Sequence, residues 1–136
     1  MRSGRGWLML TVLWGVLAAL PANAGHEGGA GYVVGFPAEH VKRLLDAGAR
    51  LIFIDLRPVE EFGQGRLPGA RSVPLRELHV RYAEVPRTGH VILYCACPAA
   101  EVEGAYRFLR DQSYRNLSLM EVGFPGWVKH GYPLER

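Results

Sequence analysis

Two cysteines stand two positions apart in this sequence, and no other cysteine occurs in its 136 residues. Cys95 ends the apolar run VILYC at 91–95, and Cys97 is followed at once by Pro98. A cysteine thiolate is both a strong nucleophile and a ligand for soft metal ions. This pair is therefore the first candidate for chemistry, and the surrounding elements must hold it in place.

Two strands are predicted at 51–55 and 91–95, because LIFID and VILYC are continuously apolar, as in strands covered on both faces. Helical spacing predicts a helix over 37–48, with Pro37 in its first turn and Gly48 as its stop. A second helix is predicted over 99–112, with acidic residues early, where the helix dipole favours them.

Shorter elements complete the pattern: a strand at 71–73, a helical turn over 75–82, a strand near 117–119 and a final helix around 126–130. Strands that alternate with helices predict an α/β fold with a central, mostly parallel sheet flanked by helices on both faces. Asp55 and Cys95 end the two apolar strands, so we expect both at the carboxyl edge of the sheet, where such folds bind ligands.

The amino terminus has the pattern of a secretory signal over residues 1–24: a basic start, an apolar run of 14 residues and a small-x-small ending at Ala24. An uncleaved membrane anchor is the alternative, but spanning a bilayer takes roughly 20 apolar residues. We expect a periplasmic or secreted protein with a flexible glycine-rich leader over 25–31 and one domain over 32–136. Cysteines in such a compartment tend to be disulfide-bonded, catalytic or metal-bound.

Charge and composition exclude other classes. The chain has 16 basic and 13 acidic residues; without the two arginines of the first 24 residues the balance is 14 − 13 = +1. No run of Lys and Arg interleaved with aromatics occurs elsewhere, so we expect no nucleic-acid partner. The histidines have no metal-ligand spacing, and we expect neither a bound metal nor an organic cofactor.

Four stretches carry a family resemblance: IDLRPVEEFGQGRLPGA at 54–70, SVPL at 72–75, YCACP at 94–98 and GFPGWVKHGYPLE at 123–135. In this order and spacing they resemble the rhodanese-like sulfurtransferase domain. The resemblance implies that Cys95 takes a sulfane sulfur from a small donor, carries it as a persulfide and passes it to a thiol, cyanide or a protein cysteine. It also implies a loop whose main-chain amides cradle the sulfur; its residues here are Ala96, Cys97, Pro98, Ala99, Ala100 and Glu101.

The loop departs from the family pattern in its charge. Many members that use thiosulfate carry a basic residue in the loop, whereas this loop has no cation and contains Glu101. A carboxylate there would repel a dianionic donor. The loop is about one residue longer than usual, but it lacks the arginine of the related phosphatases, so we do not expect phosphatase activity.

Three charged residues are expected near the site with structural roles. Asp55 and Arg57 match a family motif, and we expect Arg57 to pair with Asp55 or Glu61 and to fix the loop that faces the pocket. Arg66 stands where the family usually has a histidine. Whether a cation reaches the pocket from outside the loop is left open.

Cys97 has three interpretations that the sequence leaves open. It can attack a persulfide on Cys95, releasing sulfide and leaving a readily reduced Cys95–Cys97 bond. It can join Cys95 in holding a soft ion such as Cu(I). It can also be a small packed residue. The alternative function is a non-catalytic or thiol-redox module that serves as a binding partner in an exported sulfur, metal or electron-transfer system; in either case we expect a monomer.

Overall fold

The computed structural model describes residues 33–136, so the predicted signal segment and leader lie outside the described residues. Within that range the chain forms a five-stranded sheet with the strand order β1-β5-β4-β2-β3. Every pair of neighbouring strands is parallel, as the sequence predicts for most of them. The strands are β1 (Gly35–Phe36), β2 (Leu51–Asp55), β3 (Arg71–Ser72), β4 (His90–Tyr94) and β5 (Leu117–Met120).

Helices connect these strands. They are α1 (Ala38–Asp46), α2 (Val59–Gln64), α3 (Leu78–Arg81), α4 (Ala99–Asp111) and α5 (Gly123–Lys129), and 3-10 turns at Leu75–Glu77 and Tyr82–Glu84 flank α3. Pro37 and Pro98 directly precede α1 and α4, where the missing proline N–H leaves no helical hydrogen bond unmade. Gly48 follows α1 with φ of +85°, a conformation that glycine adopts without strain.

The predicted alternation of elements is confirmed, and several details differ. Strand β1 and helix α2 were not predicted from the sequence. The last helix was predicted to start at 126, whereas it starts three residues earlier, at Gly123. The strand predicted at 91–95 is observed at His90–Tyr94, so Cys95 is the first residue after the strand. Strand β1 has only two residues and depends on its pairing with β5, which no local pattern indicates.

The core lies on both faces of the sheet because side chains alternate along each buried strand. On β4, Val91 and Leu93 face the cluster that α4 covers through Ala105 and Leu109. Ile92 and Tyr94 face the opposite cluster, which contains Val41 of α1 and Trp127 of α5. Burying each such side chain stabilises the fold by roughly 1.5–3 kcal/mol. The predicted helical layers on both faces are therefore confirmed.

The carboxyl ends of β2 and β4 lie side by side, since the parallel register pairs Asp55 with Tyr94. The acidic end of β2 is thus placed next to the residue that precedes Cys95. Over residues 33–136, no helix combines the length and the apolar character that crossing a bilayer requires.

Candidate active site

The loop that carries the cysteines is held at its start by the amino terminus of α5. The main-chain N–H of Phe124 donates to the carbonyl of Cys95 at 2.9 Å. Gly123 has φ of +49°, and a Cβ atom there would overlap the Cys95 carbonyl. This close approach explains why the chain needs glycine at 123. It also fixes the main chain of Cys95, which makes α5 a part of the site.

The two sulfur atoms of the loop are joined in a disulfide bond between Cys95 and Cys97, whose Cα atoms lie 5.3 Å apart. The two cysteines differ in exposure: Cys95 is 7% exposed, whereas Cys97 is half-buried and packs against the same core cluster. The structure therefore brings the two thiols into direct reach of each other. It also leaves Cys97 as the more accessible end of the bond.

The family resemblance implies that main-chain amides of the loop cradle the sulfur, but not all six loop residues have a free N–H group. Pro98 has no N–H, and the N–H of Glu101 donates to the Pro98 carbonyl at 2.9 Å as part of the first turn of α4. Among residues 33–136, the remaining N–H groups of the loop have no hydrogen-bond acceptor; they belong to Ala96, Cys97, Ala99 and Ala100. These four donors, and not the amide of Glu101, are available to an anion at the start of the 13-residue helix.

Two cavities meet at the loop, and Cys95, Ala96 and Cys97 line both of them. The first, which we call the β5 cavity, has a volume of about 480 Å³ and extends along the end of β5 toward Val122 and Gly123. The second, the β2 cavity, has a volume of about 470 Å³ and extends toward the turn that follows β2. A small molecule can thus approach the sulfur atoms from either side of the loop.

Acidic side chains outnumber basic ones in the lining of both cavities. The charged residues of the β2 cavity are Arg57, Arg76, Glu60, Glu61, Glu77 and Glu101, and those of the β5 cavity are Glu103 and Glu121. Three of these six carboxylates are ion-paired with arginines, namely those of Glu61, Glu77 and Glu103. Among the described residues, the other three face the one unpaired guanidinium of Arg76, so the surroundings of the cysteines are still negative. The single loop carboxylate found from the sequence therefore understates the charge that an anionic donor meets.

Two cations enter the β2 cavity from outside the loop, which answers the question that the sequence left open. Arg57 is fully engaged by other residues. Arg76 is exposed, and among residues 33–136 it has neither an ion pair nor a side-chain hydrogen bond. Arg76 was not among the residues predicted for the site, because no local pattern indicates that it lines this cavity.

Arg66 does not lie near the site, contrary to expectation. Its side chain ion-pairs with Glu135 at 3.8 Å, and its guanidinium carbon lies 4.8 Å from the centroid of the Phe62 ring. Its main chain forms an antiparallel bridge with Glu135. Arg66 lines neither cavity, because it is used to hold the carboxyl-terminal residues against the domain.

A buried ion pair organises the end of β2. Asp55 and Arg57 are 0% and 3% exposed. Asp55 Oδ2 accepts from Arg57 Nη2 at 2.6 Å, and Asp55 Oδ1 accepts from the Arg57 main-chain N–H at 2.9 Å. Arg57 also lies 3.7 Å from a Glu61 carboxylate oxygen. Both expected partners of Arg57 are thus present, with Asp55 the closer.

Tyr94 and Phe124 connect this ion pair to the cysteine loop. The Tyr94 hydroxyl donates to Asp55 Oδ2 at 2.5 Å and accepts from the Leu67 N–H at 3.3 Å. Burial, and then the hydrogen bond to Asp55, raise the pKa of Tyr94. Burial acts to lower the pKa of Arg57, but hydrogen bonding to Asp55 and its charge outweigh burial and raise that pKa. The Arg57 guanidinium carbon lies 3.5 Å from the centroid of the Phe124 ring.

The site thus contains a disulfide-bonded cysteine pair, four main-chain N–H groups without an acceptor among the described residues and a buried polar support. No group of three His, Cys, Asp or Glu side chains in the described part of the chain is arranged to hold a metal ion. Main-chain donors at a helix start can stabilise an anionic sulfur. The arrangement is suited to thiolate chemistry at Cys95.

Comparisons with known proteins place this arrangement in a family. The family model of the rhodanese-like domain matches residues 37–130. A sulfurtransferase of Allochromatium vinosum is 29% identical over 93 residues, which cover 68% of this chain and 85% of that protein. The chain spans only 47% and 48% of the length of two further curated relatives.

Solved structures share the fold. A rhodanese-related protein from Thermoplasma volcanium has a TM-score of 0.65 at 23% identity, covering 76% of this chain and 98% of its own. A thiosulfate sulfurtransferase from Pseudomonas aeruginosa has a TM-score of 0.63 at 31% identity, covering 76% of this chain and 20% of its own. With the family match over residues 37–130, the shared fold and the cysteine at the end of β4, this chain belongs to the rhodanese-like domain family.

Proposed function

We propose that this chain is a sulfurtransferase in which Cys95 carries a sulfane sulfur as a persulfide and passes it to a nucleophilic acceptor. The observation that carries the proposal is the position of Cys95. It follows β4 directly, precedes the first turn of α4 and lines two cavities, so that donor and acceptor can each approach it. The sulfurtransferase relative from Allochromatium vinosum supports the same reaction class.

The proposed reaction starts from the reduced loop. The Cys95 thiolate attacks the outer sulfur of the donor, and the donor's thiol or sulfite leaves. The amide donors of Ala96, Cys97, Ala99 and Ala100 stabilise the negative charge on the bound sulfur. A thiol, cyanide or a partner protein's cysteine then attacks that sulfur and restores the Cys95 thiolate.

The lining of the cavities supports a donor of low negative charge. Thiosulfate carries two negative charges and would face a surplus of carboxylates, so we propose that persulfides or polysulfides are better donors. Arg76 is the cation available to a donor's anionic end, because Arg57 is occupied by Asp55. No metal or organic cofactor takes part in this proposal.

We also propose that the protein works outside the cytoplasm, because residues 1–24 have the pattern of a cleaved signal peptide. The oxidising conditions of such a compartment favour the Cys95–Cys97 disulfide as the resting form. A reductant must then open the bond before a sulfur atom can be loaded.

A second candidate function is favoured by that same disulfide. The chain can serve as a thiol-redox module that exchanges its disulfide with a partner and carries no sulfur. The absence of a cation within the loop supports this alternative, whereas the cavities at Cys95 support the sulfurtransferase.

The two functions are separated by a transfer assay on the reduced Cys97→Ser variant spanning residues 25–136, in which no second thiol of the loop competes with the acceptor. Cysteine persulfide and thiosulfate are each supplied as donor, cyanide is the acceptor, and thiocyanate is measured. We expect thiocyanate formation with cysteine persulfide, a slower rate with thiosulfate and background rates for Cys95→Ser with both donors. Background rates for Cys97→Ser with both donors would contradict sulfur transfer and support the redox module.

A further inference from the structure

The disulfide raises a question that sulfur transfer by Cys95 alone leaves unanswered, because transfer requires only one thiol. The bond shows that the Cys97 sulfur reaches the Cys95 sulfur without any rearrangement of the described fold. Any persulfide formed on Cys95 therefore has a second thiol within attacking distance. An intramolecular thiol also competes well against an external acceptor, since effective concentrations in such reactions are far above those of free thiols.

We infer that Cys97 resolves the Cys95 persulfide and that the protein thereby releases sulfide, acting as a persulfide reductase; this inference rests on the proposed sulfur loading of Cys95. The Cys97 thiolate attacks Sγ of Cys95, forming the Cys95–Cys97 bond. The bond between Cys95 Sγ and the outer sulfur breaks, and the outer sulfur leaves with the electron pair as hydrosulfide. Cys97 is oxidised, the outer sulfur is reduced, and no external oxidant is needed.

The charge around the loop favours this outcome over delivery to an anionic acceptor. Three carboxylates without an ion-pair partner among residues 33–136 line the two cavities, those of Glu60, Glu101 and Glu121, so hydrosulfide is repelled once it has formed and leaves the site. Thiolate acceptors meet the same repulsion on approach. Cys97 lies inside the loop and needs no approach, which gives the internal reaction an advantage that grows as the acceptor's negative charge increases.

Turnover then requires a dithiol reductant, and the exposure of the two cysteines gives its direction of attack. Cys97 is half-buried whereas Cys95 is 7% exposed, so the reductant's thiolate reaches Cys97 Sγ first. Cys95 leaves as a thiolate beside the unpaired amides of the loop, which stabilise it as a leaving group. The second thiol of the reductant closes its own disulfide and frees Cys97. Each cycle consumes two electrons and one sulfane sulfur.

A single-turnover experiment tests this inference. The protein spanning residues 25–136 is reduced with dithiothreitol, desalted without oxygen and given one equivalent of cysteine persulfide; intact mass and released sulfide are then measured. We expect the unmodified protein to become lighter by two hydrogens and to release one equivalent of sulfide. We expect Cys97→Ser and Cys97→Ala to become heavier by one sulfur atom. We expect their rate of sulfide release to be at most about one tenth of that of the unmodified protein. Cys95→Ser supplies the background from decomposition of the donor.

The possible outcomes separate the two proposals. If both Cys97 variants gain a sulfur atom and the unmodified protein keeps its sulfur atom as well, resolution by Cys97 is wrong and sulfur carriage by Cys95 stands. If neither Cys97 variant gains sulfur, the proposed function itself is wrong. Dithiothreitol is then added to the unmodified protein and removed before a second equivalent of cysteine persulfide is given. We expect a second burst of sulfide above the Cys95→Ser background, whereas no second burst would overturn the reductive cycle.

Discussion

The ends of β2 and β4 are neighbours, but different kinds of interaction stabilise them. After β2, Asp55 and Arg57 form a buried pair held by five hydrogen bonds from Arg57 and Tyr94 to the Asp55 carboxylate. After β4, the side chains of the loop are joined by one covalent bond, the Cys95–Cys97 disulfide, which reduction removes. A fixed electrostatic support thus lies beside a linkage that can be made and broken. None of the hydrogen bonds of the buried pair involves a cysteine, so opening the disulfide removes no hydrogen bond from the end of β2.

The largest effect on stability should come from breaking the buried pair at the end of β2. Arg57→Met leaves the Asp55 carboxylate buried without its cation, which costs about 3–5 kcal/mol of the free energy of unfolding. Urea unfolding of reduced and oxidised protein measures this loss. The matched control is Arg66→Met, because Arg66 also contacts an aromatic ring and a glutamate but is partly exposed, and its ion pair should contribute less than about 1 kcal/mol. Equal losses in the two variants would contradict the assigned importance of the buried pair.

The second prediction concerns the end of β4, where the cysteine loop begins. Gly123→Ala should destabilise the fold by about 2–4 kcal/mol, because the new Cβ atom meets the Cys95 carbonyl and φ is positive. It should also lower sulfur transfer, since it displaces the main chain of Cys95.

Gly131→Ala is the control for that variant. Gly131 has φ of +65° and open space where a Cβ atom would lie, so it isolates the backbone strain at about 1–2 kcal/mol. Sulfur transfer by Gly131→Ala should match that of the unmodified protein. A loss of transfer as large as that of Gly123→Ala would show that contact with Cys95 is not the cause.

The sequence predicted the positions of these two strand ends well, because long apolar runs identify buried strands. LIFID at 51–55 is β2 without a shift, and the run ending at Cys95 differs from β4 by one residue. Parallel order then placed Asp55 and Cys95 on one edge of the sheet. The pairing of Arg57 was also predictable, since its partners Asp55 and Glu61 lie two and four residues away.

Features that depend on distant contacts could not be predicted in the same way. Helix α5 begins at Gly123 because the Phe124 N–H meets the carbonyl of Cys95, a residue 29 positions earlier (124 − 95). Arg66 forms an ion pair with Glu135, which lies far along the chain. The exposed Arg76 lines the β2 cavity because the chain after β3 folds back toward the cysteine loop. Local sequence contains no signal for such long-range positions.

A third, smaller effect tests the hydrogen bond that links the two ends. Tyr94→Phe removes a donor from Asp55 and leaves the Leu67 N–H unpaired, which should cost about 1–3 kcal/mol. Urea unfolding near neutral pH measures this cost. No measurable change in unfolding free energy would contradict the connecting role of Tyr94.

The pH dependence of that variant gives an independent check. The pKa of Tyr94 is raised by burial and by Asp55, so its contribution is fully present below the unfolded pKa of about 10 and is lost as pH rises further. Above that pH the hydroxyl of Tyr94 loses its proton in the unfolded chain but keeps it in the folded chain. The unmodified protein should therefore lose about 1.4 kcal/mol more per pH unit than Tyr94→Phe. Parallel stability curves above pH 10 would contradict the raised pKa.

The smallest expected effect is on the rate of sulfur transfer, and it concerns the charge around the cysteine loop. Glu101→Gln removes one carboxylate from the β2 cavity and should raise the rate with thiosulfate about threefold to tenfold at low salt, with less gain at high salt. Asp111→Asn, ten residues later on α4 and about 15 Å away, is the control and should leave the rate unchanged. An equal increase in both variants would mean that overall charge, and not the cavity, governs the donor.

The central claim is that Cys95 holds a sulfane sulfur, and intact mass of the Cys97→Ser variant tests it most directly, because the competing disulfide cannot form. The reduced variant is incubated with inorganic polysulfide, desalted and weighed, with and without subsequent cyanide. The account predicts a gain of one sulfur atom that cyanide removes and that the Cys95→Ser, Cys97→Ser double variant does not show. An unchanged mass after polysulfide treatment, or an equal gain in the double variant, would contradict it.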